Sequence, residues 1–342
     1  MTTTREMHSI RLHDFKPAMG IFREEVLAGL RKQQKEICPK YFYDETGSGL
    51  FEQICTLDEY YIPRTEISIM EKNIGEIVGA LGPNVLLVEY GCGDCKKTQI
   101  LMTQMHNMSA YIPIDISCEQ LMAVSRRLGS EYPGLEILPV CADFTNDFSL
   151  PDGKRKNDRV VVYFPGSSIG NLHPEQARNL LQQIARLCGP GGGLLIGVDL
   201  KKDSSVLHRA YNDRHNVTSA FNLNILERLN RELNADFDLR SFEHYAFYNP
   251  VKGRIEMHLI SLKDQVVQLD DTAINFARGE SIWTESSYKY NLNEFNELAV
   301  ASGFTVDRVW TDEQRWFSIQ YLVAAADDFK FDCNMELCLS RA

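Results

Sequence analysis

No apolar run in this 342-residue chain approaches the roughly 18 residues a membrane-spanning helix requires, and no apolar segment follows Met1-Thr-Thr-Thr-Arg5. The expectation is a cytoplasmic protein with no membrane partner. A Lys/Arg-rich run is also missing. With 36 basic against 47 acidic residues the formal charge is −11, so the chain lacks the basic face that a phosphate backbone needs. This argues against nucleic acid and for a small-molecule substrate. Repeats and low-complexity stretches are absent. The nine cysteines, Cys38, Cys55, Cys92, Cys95, Cys118, Cys141, Cys188, Cys333 and Cys338, are odd in number and irregular in spacing. They do not make a disulfide framework, and reduced thiols are expected. Cys92-Gly-Asp-Cys95 has the spacing of a dithiol or half a zinc site. The flanking Glu89 and Gly91 suit a nucleoside loop better, and no second ligand pair lies near. The pair is read as a passenger, and no metal is expected.

What is present is a hydrophobic content of 44%, enough for a large core, and an alternating pattern. Phe22, Val26, Leu27 and Leu30 share one face of a helix over 21–35, and Thr65 is placed as the N-cap of a helix over 66–81. Strands are expected at 85–89, 110–114, 136–140, 159–164 and 192–200, separated by helices near 96–106, 117–128 and 174–187. That interval predicts an α/β fold with right-handed crossovers and a doubly wound parallel sheet. Beyond it, 204–233 reads as one polar helical stretch, 242–248 and 254–262 as antiparallel strands of an inserted α+β lobe, and 292–302, 305–310 and 316–324 as a helix and closing hairpin.

Successive strands end in Glu89, Asp115 and Asp143, at the edge of a doubly wound sheet where ligands sit. Gly91 and Gly93 let a ligand approach the backbone. A carboxylate after the second strand can accept two ribose hydroxyls, and Asp143-Phe144 can meet an adenine. Lys96 stands where a dinucleotide loop has its third glycine, so the turn suits a ligand without a pyrophosphate, and S-adenosylmethionine is the expected cofactor.

Longer motifs extend this reading: Pro39-Lys-Tyr-Phe-Tyr-Asp44, Leu50-Phe-Glu-Gln-Ile54, Glu59-Tyr-Tyr61, Arg64-Thr-Glu66, Gly166-Ser-Ser-Ile-Gly-Asn-Leu172, Arg209-Ala-Tyr211, Ala220-Phe-Asn222, Arg254-Ile-Glu-Met257 and Thr284-Glu-Ser-Ser287. Together they resemble the histidine-specific Nα-methyltransferases of ergothioneine biosynthesis, from about residue 20 to 325. The resemblance implies a Rossmann-like class I methyltransferase sheet formed by 61–200 with 290–328. It implies a smaller substrate-binding lobe formed by 15–60 with 201–289, leaving 329–342 as a C-terminal extension without a family counterpart. It implies that Phe51, Gly91, Lys97, Asp115, Asp143 and Gly166 contact S-adenosylmethionine. Asn171 and Tyr211 would meet the substrate carboxylate, with Tyr60 and Tyr43 around the amine as catalytic residues. Glu285 and Ser287 would hold the imidazole, and Met257 would line the side-chain pocket. The first loop departs from the family's usual Gly-Ser-Gly, reading Gly91-Cys-Gly-Asp-Cys95.

These residue types suit methyl transfer to an amine, which is mainly a matter of aligning nitrogen, methyl and sulfur. An Asn amide and a Tyr hydroxyl fix a carboxylate without placing a second cation beside a sulfonium. Glu285 with Ser287 can take both imidazole N–H groups, or one N–H and one acceptor, depending on tautomer. Tyrosine faces stabilise a growing ammonium. Tyr43 and a bound water are both candidates for the general base. The expected reaction is trimethylation of L-histidine to hercynine by a monomer. The alternatives are the same fold acting on another amino acid or an indole amine, and a cofactor-binding sensor with a vestigial lobe.

Overall fold

The computed structural model describes residues 10–15, 19–146, 148–151, 153 and 156–325. The expected extension at 329–342 lies outside them, as do Cys333 and Cys338.

Eight strands form the central sheet, in the spatial order His13–Asp14, Val140–Cys141, Ala110–Asp115, Val85–Tyr90, Arg159–Phe164, Gly193–Asp199, Phe317–Ala324 and Phe304–Thr311. The first six are parallel, and Phe317–Ala324 runs antiparallel to both neighbours. The fold is α/β and doubly wound. From Val85–Tyr90 the chain builds outward to one side and then returns to build the other. The switch point, and hence the ligand crevice, lies between Val85–Tyr90 and Arg159–Phe164.

The period of two in Val85-Leu-Leu-Val-Glu-Tyr90 sorts side chains to two cores. Val85 and Leu87 pack with Ile69, Met70 and Ile77 of the helix Ile62–Leu81. Val88 and Tyr90 pack with Leu180, Leu181 and Ile184 of the helix Pro174–Cys188. The first core continues without a break into the second part of the molecule, through Tyr211, Phe221, Ile255, Met257 and Ile282.

That second part is a four-stranded sheet, in the order Lys35–Glu36, Ser281–Tyr288, Arg254–Ser261 and Phe242–Asn249, with the helices Glu45–Ile54, Ser204–Tyr211 and Val217–Glu232 beside it. A separate hairpin, Gln265–Leu269 with Thr272–Phe276, is inserted between Arg254–Ser261 and Ser281–Tyr288, in register from Gln265↔Phe276 to Leu269↔Thr272.

Several boundaries differ from expectation for identifiable reasons. The helix expected to start after Thr65 begins at Ile62, because Pro63 in the first turn lacks only an N–H that has no helical acceptor, and the Thr65 hydroxyl donates to the Tyr61 carbonyl instead of capping. The stretch 204–233 is two helices. Buried Asp213 accepts from the backbone N–H groups of His215, Val217 and Thr218, and Asn216 adopts a left-handed conformation (φ 56°), so the second helix starts afresh at Val217. The third strand shrinks to Val140–Cys141, and the helix after the first loop ends at Met102. The helix over 21–35 stops at Leu30, as the chain enters the short strand Lys35–Glu36.

The expectation that all thiols are reduced is also corrected, since Cys118 and Cys141 form a disulfide. Cys141 pairs in register with Asp115, and Cys118 opens the helix three residues after Asp115, so the sheet brings together two cysteines that an intervening helix separates in sequence.

Candidate active site

At the switch point, the strand Val85–Tyr90 runs into a loop with positive φ at Gly91 (72°), Gly93 (51°) and Cys95 (55°). A Cβ on Gly93 would meet nothing within 4 Å, so the backbone there faces open space. The Asp115 carboxylate accepts from the Gly93 N–H (3.1 Å) and the Ser117 N–H (2.9 Å), which aim it across the loop; burial nevertheless lifts its pKa above the ordinary value. Glu89 lies deeper. It is 1% exposed and bonded to the Tyr111 hydroxyl, and burial pushes it up to about 8. Asp143 accepts from the Thr145 N–H (3.0 Å) and hydroxyl and pairs with Lys40 (3.2 Å), while Phe144 stacks on Tyr90. Lys97 pairs with fully buried Glu66 (2.6 Å), whose carboxylate also accepts from the Gly166 N–H (3.0 Å). Lys97, Gly166 and Glu66 therefore form one cluster.

Facing this loop is a chain of aromatic rings. Tyr43 and Phe51 lie 5.7 Å apart, Phe51 and Tyr60 6.4 Å, Tyr60 and Tyr211 6.2 Å, and Phe221 touches both Tyr43 and Phe51. Asp44 fixes the first of them. Its side chain caps the helix Glu45–Ile54 at the Gly47 N–H and is held by Asn224 and Arg231 of the helix Val217–Glu232. Arg64 fixes the turn before Tyr60 by donating to the carbonyls of Leu57, Asp58 and Tyr60. Burial pushes the Tyr43 and Tyr60 phenols well above their ordinary value. The charges of Glu285 and Asp115 add to the rise at Tyr43.

Glu285 and Ser287 stand two residues apart on the strand Ser281–Tyr288, on one face after a bulge between Trp283 and Glu285. Met257 is directly opposite Glu285 on the neighbouring strand. The Glu285 carboxylate has no hydrogen-bond donor among the described residues, and burial pushes it up to about 7 against the pull of Lys289. Ser287 accepts from the Tyr211 hydroxyl (2.8 Å) and the Lys289 ammonium (2.7 Å). Asn171 ends the 3-10 turn Ser168–Asn171, which packs so closely on this strand that a Cβ on Gly170 would lie 2.7 Å from the Tyr288 carbonyl oxygen. Its half-buried amide makes no hydrogen bond to Tyr211, Ser287 or Glu285, so the structure brings its turn to the strand without joining it to them.

A model of the family described as histidine-specific, SAM-dependent methyltransferases matches residues 22–324. The chain belongs to that family. It is similar to the histidine N-alpha-methyltransferase of Mycolicibacterium smegmatis, 42% identical over 313 residues that cover 90% of this chain and 96% of the relative. The enzyme of the same name from Mycobacterium tuberculosis is 38% identical, covering 87% and 93%. Ergothioneine biosynthesis protein 1 of Neurospora crassa is 26% identical, covering 79% of this chain and 31% of that protein.

S-adenosylmethionine is therefore the cofactor of this methyltransferase, and the residues fit it: open space over Gly93, and an Asp115 carboxylate oriented by two backbone donors toward the loop. In this methyltransferase the sequence reasoning passed over Glu66, Asp199, Lys289 and Phe221. Glu66 carried a signal, as an acid on the apolar face with Ile62, Ile69 and Met70. Phe221 sat inside a quoted motif. Lys289 gave none, because a lysine after a strand ordinarily faces water.

Proposed function

We propose that this methyltransferase converts L-histidine to Nα,Nα,Nα-trimethylhistidine (hercynine) in three successive transfers, for ergothioneine biosynthesis. The observation that carries the reading is the half-buried Glu285 carboxylate, without a hydrogen-bond donor among the described residues, two residues from Ser287 on one strand face, beside the Tyr43–Phe51–Tyr60–Tyr211 rings. A half-buried carboxylate with no protein donor is open to a ligand's donor, and an imidazole N–H supplies one.

S-adenosylmethionine supplies the electrophilic methyl group, held by Phe51, Gly91, Lys97, Asp115, Asp143 and Gly166. Asn171 and Tyr211 anchor the amino-acid carboxylate, Met257 lines the ring pocket, and Tyr43 and Tyr60 flank the amine. Because burial keeps both phenols protonated, a bound water positioned by Tyr43 serves better as proton acceptor than a phenolate. The division into 61–200 with 290–328 and 15–60 with 201–289, a monomeric state and a cytoplasmic location belong to the same proposal. Among the described residues, no helix is long and apolar enough to cross a membrane.

Purified protein given L-histidine and S-adenosylmethionine is expected to yield a product heavier by three methyl groups in mass spectrometry. No methylated histidine, or preferential methylation of tryptophan, overturns the proposal.

A further inference from the structure

Behind the imidazole pocket lies a cation that the reading above leaves without a role. Lys289 is 2% exposed, and its ammonium donates to Asp199 (2.8 Å), Ser287 (2.7 Å) and Tyr211 (3.1 Å). Asp199 is itself fully buried and accepts from Tyr61 (2.8 Å) and Lys202 (2.5 Å) as well. Asp199 outweighs the burial of Lys289 and holds its pKa above the ordinary value, so Lys289 stays charged. Lys202, by contrast, is lowered to about 8 by burial.

An ammonium has three donors and no acceptor, and these three are spent on Asp199 and the two hydroxyls. Neither hydroxyl can turn its own proton toward Lys289. The Tyr211 proton goes to Ser287, which fills the second lone pair of the serine oxygen. The only hydrogen-bonding capacity left to Ser287 is its own proton. Glu285, the neighbouring group on the same face, is acceptor-only when ionised. The pocket thus offers a ring one donor and one acceptor.

We propose that Lys289 is a positioning residue that sets this polarity, turning the Ser287 proton toward the bare nitrogen of a neutral imidazole while ionised Glu285 accepts from its N–H. This deepens the histidine reading and rests on it. An imidazolium carries two N–H groups and would set one against the Ser287 proton. An indole has no acceptor nitrogen at all. When Tyr211 turns its proton to the substrate carboxylate, one Ser287 lone pair is freed, and it is then the charge of Lys289, still bonded to the other lone pair, that opposes a second cation in the pocket. The other groups facing the ring site are Glu285, Tyr43, Tyr60 and Tyr211. Of these, Glu285 favours a cation, and the phenols stay neutral.

The test uses wild-type protein with S-adenosylhomocysteine and L-histidine labelled with 15N in the ring. Followed from pH about 8 down to about 6, across the value of about 7 to which burial holds Glu285, the bound ring is expected to show one protonated and one bare nitrogen, and to protonate at least about one pH unit below free histidine. Two protonated nitrogens in the bound state overturn the proposal while leaving the histidine reading intact. Failure to bind histidine overturns both.

Lys289→Met is expected to raise KM for histidine about tenfold, with kcat and the KM for S-adenosylmethionine little changed. It should also narrow about tenfold the preference for histidine over β-(pyrrol-3-yl)alanine, which has the N–H but no acceptor nitrogen. Equal losses for both amino acids, or a matching loss toward the cofactor, would mark Lys289 as merely structural and refute the assignment. If Lys289→Met does not fold, Ser287→Ala carries the same comparison. Unchanged discrimination in that variant overturns the proposal.

Discussion

Glu285 offers a test in which stability and function move in opposite directions. Its carboxyl is held up to about 7 by burial, against an ordinary 4.5. The folded chain therefore binds this proton more tightly than the unfolded chain. The residue's effect on stability is neutral below pH 4.5, grows unfavourable as pH rises from 4.5 to about 7, and is constant above that. At about 1.4 kcal/mol per pH unit, that window corresponds to about 3 kcal/mol at pH 8 and to less than about 1 kcal/mol at pH 5.

Glu285→Gln removes the charge and keeps the shape. The histidine-free variant should be more stable than wild type by up to about 3 kcal/mol at pH 8, with the gain mostly gone at pH 5. The same change replaces a charge-assisted acceptor in the ring pocket, so histidine should bind about ten to a hundredfold more weakly, with cofactor affinity preserved. Urea denaturation at the two pH values measures the first effect, and calorimetry with each ligand the second. A variant less stable at pH 8, or a gain equal at both pH values, would refute the burial argument. Equal losses of histidine and cofactor affinity would refute the placement of Glu285 in the substrate pocket.

Two further outcomes follow from close contacts in the same region. Gly170→Ala sets a Cβ 2.7 Å from the Tyr288 carbonyl oxygen, so the Asn171 turn must move off the strand that carries Ser287. A loss of about 1–3 kcal/mol in denaturation is expected, with a raised KM for histidine and an unchanged one for S-adenosylmethionine; an unaltered KM for histidine would show that the turn does not position Asn171. The Cys118–Cys141 bond closes a loop of sequence separation 23 between the segments that carry Asp115 and Asp143. Cys118→Ser, or thiol reduction of the wild type, should cost about 3 kcal/mol of stability under otherwise equal conditions, and equal denaturation midpoints for oxidised wild type and variant would contradict the bond.

The central sheet was legible because its strands are short apolar runs and its helices have clear faces. Arg159–Phe164 falls where the run of valines puts it. What the sequence hid were features decided by tertiary pairing. His13–Asp14 is two residues long and exists only because Val140–Cys141 offers an edge. The hairpin Gln265–Leu269 with Thr272–Phe276 has no strong turn dipeptide, and its connecting Asp270 adopts a left-handed conformation at φ 49°. At the site, Glu285 and Ser287 could be named from motif residues, and the period of two puts them on one face, but their register against Met257 and Ile255 follows a shift between Trp283 and Glu285 that no local pattern announces. Lys289 and Asp199 were invisible for the same reason, since 90 positions separate two groups 2.8 Å apart.

That pair also explains how a specificity pocket on one sheet stays in register with a cofactor loop on another. Asp199 is the last residue of the central strand Gly193–Asp199, and Lys289 directly follows the second-sheet strand Ser281–Tyr288. The backbone continues the join, because the Tyr290 N–H donates to the Asp199 carbonyl and the Lys201 N–H to the Tyr290 carbonyl, with Leu200 and Tyr290 bridged in parallel. The strand bearing Glu285 and Ser287 therefore runs directly into pairing with the end of a parallel strand, whose neighbour Arg159–Phe164 leads into Gly166. A hinge at this seam would have to break backbone bonds and a buried ion pair together, and breaking such a pair costs about 3–5 kcal/mol. Domain closure across it is thus the costlier way to bring amine and methyl group together. The rings of Tyr43, Phe51 and Tyr60 lie on turns and a short helix held by Asp44 and Arg64, so any adjustment to a growing ammonium falls to side-chain rotation rather than to a hinge.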